Sequence, residues 1–406
     1  MKIAIVNLLM RTVKSESLLP QMDKRLPRWK VRAESPMVVL VADGMARQGH
    51  DVTVFAGSMF DIVRDCQQGK RPTAEIVSVK ERLQWLFPPS YYPFAPTIAP
   101  QLEKGGYDVV LTTDIVQPCT QLARLAVSGE QRVFIWQELA AHPRFPICLA
   151  SKGIFLQLRA MKSGSIKELI PRSEKARAFL ESQGVPNSML SRTIPNAVDC
   201  DTFAPNQYED FFASRGIEDV PRPRIVIVAR TDRAKGIDTF MAASRIALNR
   251  GFPGSFIVKV TGPSSSSIRE TANTLGISGK VKIIDEYLPR KDLAMLMASC
   301  DLCAAPSAGD LLFFVPLESI ASGVPVITTT QTHHTTTFAD GRAGLIIPPN
   351  DVNRLADAFI ELTSDEDRLR RMSKAAREIA LTEFSTESVS RRLLSEFSKG
   401  MVSITK

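Results

Sequence analysis

Short runs of β-branched and aliphatic residues, each followed by a stretch of helical periodicity, recur along the whole chain. "KIAIVNL", "DVTVFAG", "DVVLTT" and "RVFIWQ" read as strands in the first half. "PRIVIVAR", "FIVKVTG", "KVKIID", "DLCAAP" and "PVITT" read as strands in the second. Near-continuous apolar runs, rather than strict alternation, are what strands covered on both faces require, and helices between them supply the cover. The first helix is read in "PMVVLVADGMARQGH", and others at about 237–249, 290–299, 316–322 and 352–362. The pattern predicts parallel α/β layers.

A chain of 406 residues exceeds one ordinary core, so it is expected to fold as two doubly wound, Rossmann-like domains. The join is placed near "IPNAVDCDTFAPNQYED", where turn residues cluster. The expected division is 1–200 and 201–383, followed by an amphipathic helix in 384–406, "STESVSRRLLSEFSKG", which returns to the N-terminal domain. In open parallel sheets ligands bind beyond the carboxyl ends of the strands, so a cleft between the two domains is the expected site.

Composition excludes several classes. No segment reaches the ~18 to 20 uninterrupted apolar residues of a membrane span. The opening "MKIAIVNLLMRT" lacks a small-residue cleavage site and reads as a strand rather than a secretion signal, so the chain is expected to stay in the cytoplasm. Six cysteines spread over 406 residues give no disulfide framework, and the CxxC pair Cys300 and Cys303 reads as buried packing. The net charge of +8 suits a nucleic acid, an anionic membrane face or a phosphorylated small molecule. The basic residues are scattered and form no nucleic-acid module, so no nucleic-acid partner is expected.

Two stretches carry chemistry. In "VARTDRAKGID", Arg230 ends a strand and Lys235 follows before Gly236 and a helix. Two cations beside a helix N-terminus suit a diphosphate, although a solvated turn would look the same. In "PSAGDLLFFVPLESIASGVPVIT", Asp310 lies past a strand end, and Pro316 fits the first turn of a helix that Gly323 stops. Glu318 is then expected in that first turn, beside free backbone N–H groups. The two acids would flank a phosphate-accepting helix start, or Glu318 would simply favour the helix dipole.

These stretches resemble the motifs of family-4 retaining glycosyltransferases of the GT-B fold. "IPNAVDCDTFAP" is similar to that family's "IPNGVDxxxFxP", and "VARTDRAKGIDTFMAA" to "VGRLxxxKGxxxLxxA". "DLLFFVPLESIASGVPVIT" is similar to "EGFGLPxLEAMAxGxPVI", and "ADGRAGLIIPPNDVNRLADAF" to "xDGxxGxLVPPxDxxxLAxAI". The resemblance spans roughly residues 170 to 400; the first half matches only in outline, through "MARQGHDVTVF".

The resemblance implies two Rossmann-like domains facing across a cleft, an acceptor-side first domain and a nucleotide-sugar-binding second one. It implies a nucleotide-sugar donor (UDP- or GDP-sugar), a glycan or lipid-linked acceptor in envelope or exopolysaccharide synthesis, and neither cofactor nor metal. "DCD" at 199–201 falls in the linker motif and is not read as a metal site. By the same resemblance, Arg230 and Lys235 neutralise the donor diphosphate, Glu318 holds the ribose hydroxyls and Asp310 contacts the donor sugar. Backbone N–H groups at Leu312, Phe313 and Phe314 meet the phosphates, and Gly262 lies by the nucleotide.

The chain departs from the family at several points. Asp310 stands for a glutamate, Leu311 and Phe313 for two glycines, and Trp136, Gln137 and Glu138 occupy the place of a first-half histidine. His333 and His334 lie where a glycine turn is usual and read as surface loop. These departures keep a second reading open, a catalytically degenerate relative that binds nucleotide or glycan as a scaffold. On the acceptor side, the basic stretch 11–33 with Trp29 and the aromatic, proline-rich 82–96 could touch an anionic bilayer on the inner face of the membrane, or be solvated loops and a flap. The basic-apolar stretch 144–162 reads as a buried helix.

Overall fold

Apolar runs covered on both faces make two sheets. The computed structural model describes residues 1–11, 37–58, 64–65, 74–80, 82, 93–127, 131–141, 147–160, 166–230, 233–261, 265–308, 314–332, 335–338 and 340–399. Contacts divide the chain into two compact units, Met1–Ala197 with Thr386–Lys406, and Val198–Ser385. These edges lie two or three residues from the expected 200/201 and 383/384. The reason is local: the Val198 N–H bonds the Phe384 carbonyl at 2.8 Å and Val198 bridges to Ser385, which ties both passages into the second unit.

The first unit runs β1 (Lys2–Arg11), α1 (Met37–Arg47), β2 (Asp51–Ser58), β3 (Arg64–Asp65), β4 (Glu75–Lys80), α2 (Ile98–Gly105), β5 (Val109–Thr113), α3 (Pro118–Ala126), β6 (Arg132–Gln137), α4 (Ile147–Ala160), β7 (Ile166–Pro171) and α5 (Glu174–Ser182). Its sheet has the order β3-β4-β2-β1-β5-β6-β7, and every pairing is parallel except that of the short β3 with β4. All of β5 is buried, its two threonines included, as a strand covered on both faces requires. The C-terminal helix Thr386–Lys399 packs on α1 in this unit. Ser390 Oγ donates to the Val41 carbonyl at 3.0 Å, and Phe397 lies 4.8 Å from Phe134, centroid to centroid. Gly44 permits the approach, because a Cβ there would sit 2.4 Å from Ser390 Oγ.

The second unit runs α6 (Phe211–Ser214), β8 (Arg224–Arg230), α7 (Ile237–Asn249), β9 (Ser255–Thr261), α8 (Ser265–Thr274), β10 (Val281–Ile284), α9 (Arg290–Ala298), β11 (Leu302–Ala305), α10 (Phe314–Ala321), β12 (Val326–Thr329), α11 (Thr335–Phe338), β13 (Gly344–Ile347), α12 (Val352–Ser364) and α13 (Glu366–Ile379). Its six strands are ordered β10-β9-β8-β11-β12-β13 and are all parallel. One face is filled by Phe240, Phe256 and Phe359, whose rings meet edge-on or tilted. The other face packs Leu317 and Ile320 of α10 against Val226 and Ile257. Asp351 and Asp365 cap α12 and α13 by accepting from the Arg354 and Arg368 N–H groups.

Four strands go beyond the sequence reading: the two-residue β3, and β4, β7 and β13. The thiols of Cys300 and Cys303 are free and buried, as read, and burial pushes Cys303 up to about 12. The helix in 144–162 is present as α4, but it is not buried throughout. Leu149 and Leu156, two turns apart, are 63% and 64% exposed, with exposed Lys152 between them. No helix among the described residues is long and apolar enough to cross a membrane.

Candidate functional site

The order of the second sheet reverses between β8 and β11, the topological switch at which open α/β sheets bind their ligands. Two loops leave the carboxyl ends of these strands and are stitched to each other. After β8 the chain makes a short 3-10 turn over Arg233–Lys235 and reaches Gly236, which has φ +75° and precedes α7. After β11 it passes through Pro306, Ser307 and Ala308. The Ala234 carbonyl accepts from the Ala308 N–H at 2.9 Å and from Ser307 Oγ at 2.8 Å. Thr329 Oγ1, at the end of β12, donates to the Ser307 carbonyl at 2.6 Å. Gly236 is pressed against the second loop, where a Cβ would lie 2.3 Å from the Pro306 oxygen. The half-buried Lys235 therefore stands on a turn held from both sides.

Glu318 enters from α10. That helix begins at Phe314, so Pro316 is its third residue and Glu318 its fifth; its first turn holds no acid. The expected place of Glu318 in the first turn is thus corrected. Phe314 and Val315 extend the helix ahead of the proline, whose missing N–H costs nothing within the first turn. Glu318 is only 8% exposed, in an unbroken buried run from Pro316 to Ala321. Burial pushes its carboxyl up to about 7; Arg290 opposes that push and the charge of Asp199 adds to it.

Arg290, the first residue of α9, places Nη1 3.4 Å from Glu318 Oε1. Its guanidinium lies 5.0 Å from the Phe203 ring centroid. Its Nε is buried and has no hydrogen-bond partner among the described residues.

Of the residues singled out in the sequence, the structure places Lys235, Phe314 and Glu318, and the strand end that carries Arg230. Phe314 opens α10 with its N–H in the uncommitted first turn. Asp310, Gly262, Leu312 and Phe313, with Leu311, His333, His334 and the Arg230 side chain, lie outside the described residues.

Sequence reasoning missed Arg290 and Lys259. Lys259 is buried in the middle of β9, donates to the Val260 carbonyl at 2.6 Å, and is pulled below the usual lysine range by burial. A lysine inside "FIVKVT" was the available signal.

In the first unit the carboxyl ends of β5, β6 and β7 gather a polar cluster. Arg172 Nη1 donates to Glu138 Oε2 at 2.9 Å and to Asn196 Oδ1 at 3.2 Å, with its guanidinium 4.2 Å from the Trp136 ring centroid. Asp114, held at φ +54°, accepts from the N–H groups of Glu138 and Leu139 through Oδ1.

Residues 222–365, the greater part of the second unit, match the family model described as glycosyl transferases group 1. The second unit is a group 1 glycosyl transferase domain. The D-inositol 3-phosphate glycosyltransferase of Nocardia farcinica (strain IFM 10152) is 30% identical over 212 residues, 50% of this chain and 46% of that protein. A GDP-mannose-dependent alpha-(1-6)-phosphatidylinositol monomannoside mannosyltransferase of Mycobacterium tuberculosis is 28% identical over 213 residues, 51% of this chain and 55% of that protein. The matched region thus spans about half the length of these curated relatives.

Around the group 1 domain, the whole chain has the fold of GT-B glycosyltransferases. A sucrose-phosphate synthase from Thermosynechococcus elongatus superposes with a TM-score of 0.72 at 18% identity, over 99% of each chain. The Anabaena protein HepE, crystallised in complex with UDP-glucose, gives 0.64 at 15% identity over 98% of this chain and all of that one.

Proposed function

We propose that the chain is a retaining glycosyltransferase that moves a sugar from a nucleotide diphosphate-sugar to a glycan or lipid-linked acceptor. The stitched pair of loops at the β8/β11 switch carries this reading, with Lys235 on one of them and Glu318 buried on the helix that follows the other. As the sugar–phosphate bond breaks, negative charge grows on the departing diphosphate. Lys235, Arg230 and the N–H groups at the start of α10, Phe314 among them, are the cations and dipoles assigned to it. Lys235, fixed on a turn that hydrogen bonds hold in place, needs little reorganisation as that charge appears.

Asp310 is assigned to the donor sugar, and Leu312, Phe313 and Gly262 to the donor's phosphates and nucleotide. Glu318 is assigned to the ribose hydroxyls. With two cations on the diphosphate, the reading assigns no metal ion and no further cofactor. The second unit takes the donor and the first unit the acceptor. The inositol-containing acceptors named for the relatives support a lipid-linked or polyol acceptor in envelope synthesis. The exposed leucines of α4 support contact with an anionic membrane surface from the cytoplasmic side.

The test is a thermal-shift panel with UDP, GDP, ADP, their nucleosides and their sugar conjugates, on wild type and Lys235→Ala. A ligand that binds only the folded state at a hundred times its dissociation constant adds about 2.7 kcal/mol of stability. One base should shift the wild type, and Lys235→Ala should weaken the diphosphate more than the nucleoside. Equal losses remove Lys235 from the phosphates. Silence across the panel favours the degenerate, non-catalytic relative.

A further inference from the structure

Glu318 sits where a carboxylate is hard to keep. The helix around it is buried from Pro316 to Ala321, and α10 packs against β11, β12, α9, α13 and the segment Ala380–Phe384 that follows α13. Among the described residues, few charged groups face it. Asp199 is of like sign and favours the protonated form. Cys303, on β11, is a buried neutral thiol. Arg377, on α13, spends its guanidinium on the carbonyls of Phe203, Ala321 and Cys200, at 2.7, 2.6 and 3.0 Å. Arg290 is the cation whose guanidinium meets the carboxylate, and stacking over Phe203 fixes it there.

A ribose presents two neighbouring hydroxyl donors. A carboxylate can accept from both, whereas a protonated carboxyl must give one oxygen to its own proton. We propose that Arg290 is a positioning residue that holds Glu318 ionised and oriented to accept both ribose hydroxyls of the nucleotide. This rests on the assignment of Glu318 to the ribose and adds the group on which that role depends. The buried Nε of Arg290 has no hydrogen-bond partner among the described residues, which leaves the contact with Glu318 and the ring of Phe203 to hold the guanidinium. The neutral-range titration of Glu318 then becomes a control on donor affinity.

The experiment measures the dissociation constants of UDP and GDP by calorimetry across pH 5.5 to 8.5, each beside its 2′,3′-dideoxy analogue. The analogue removes the hydroxyls but keeps the titration of the terminal phosphate. Wild-type affinity for the ribonucleotide should fall up to about tenfold per unit once pH drops below about 7, and the dideoxy analogue should lack that component. Arg290→Ala should move the midpoint upward by a unit or more, and Arg290→Lys should bring it back.

Arg290→Gln, a shorter side chain that keeps hydrogen-bonding capacity without charge, serves if the alanine variant does not fold. Its midpoint should also rise. A uniform loss of affinity with an unmoved midpoint would overturn the proposal and leave Arg290 a packing residue. The ribose assignment fails separately: Glu318→Gln would then bind like wild type, and ribose and dideoxyribose ligands would share one pH profile.

Discussion

Gly236→Ala, compared with Gly276→Ala, isolates the stitching of the two site loops. Both glycines have positive φ, +75° and +69°, so an alanine at either position meets the left-handed penalty of about 1–2 kcal/mol. They differ in surroundings. Nothing lies within 4 Å of a Cβ at Gly276, whereas at Gly236 it would meet the Pro306 oxygen at 2.3 Å and its carbonyl carbon at 2.9 Å. Ordinary contact begins at 3.4 Å, so the loops must part by about 1 Å. The hydrogen bonds of Ala234 to Ser307 and Ala308 cannot survive that separation, and each contributes about 1 kcal/mol net.

Gly236→Ala should therefore cost about 3–4 kcal/mol against about 1–2 for the control. A displacement of about 1 Å at a reacting site also lowers turnover on the order of 100-fold. Urea midpoints of both variants read the first quantity, and nucleoside diphosphate affinity and turnover read the second. Gly276→Ala should leave binding and turnover unchanged. Equal destabilisation of the two variants, or normal binding and turnover by Gly236→Ala, would refute the claim that the β8 and β11 loops hold one another.

Two further outcomes follow from burial and exposure. Glu318 titrates near 7 in the fold against an ordinary 4.5, so its protonated form stabilises the fold below pH 4.5, and that contribution is lost as pH rises through 7. Wild type should thus lose about 3 kcal/mol relative to Glu318→Gln between pH 4 and 8, read from urea midpoints at each pH, and parallel curves would place the carboxyl in its ordinary range. Replacing Leu149 and Leu156 together by serine should reduce sedimentation with anionic liposomes while leaving the thermal midpoint within about a degree, since both side chains already face solvent; undiminished sedimentation would remove α4 from membrane contact.

What could be read in the sequence divides along physical lines. Strands such as β6 and β8 were legible because two covered faces leave an unbroken apolar run in the one-dimensional record. β7 was missed because "IKELIP" places an exposed Lys167 and a half-buried Glu168 inside the run, and β13 because "GLII" is only four residues behind a turn. The α10 boundary slipped because Phe314 and Val315 are as acceptable in a helix as in a loop, and Pro316 is tolerated anywhere in the first turn.

The slip changes the chemistry assigned to Glu318. In the first turn, the free N–H groups and the helix dipole would keep its carboxylate charged without help from elsewhere. In the second turn those N–H groups are committed to the helix, the surroundings are apolar, and the charge depends on a cation brought from α9. No local periodicity links Glu318 to Arg290, 28 residues earlier; the packing of α9 against α10 makes that link. The motif shows that a carboxylate is present, and the tertiary contact decides the pH range in which it acts as one.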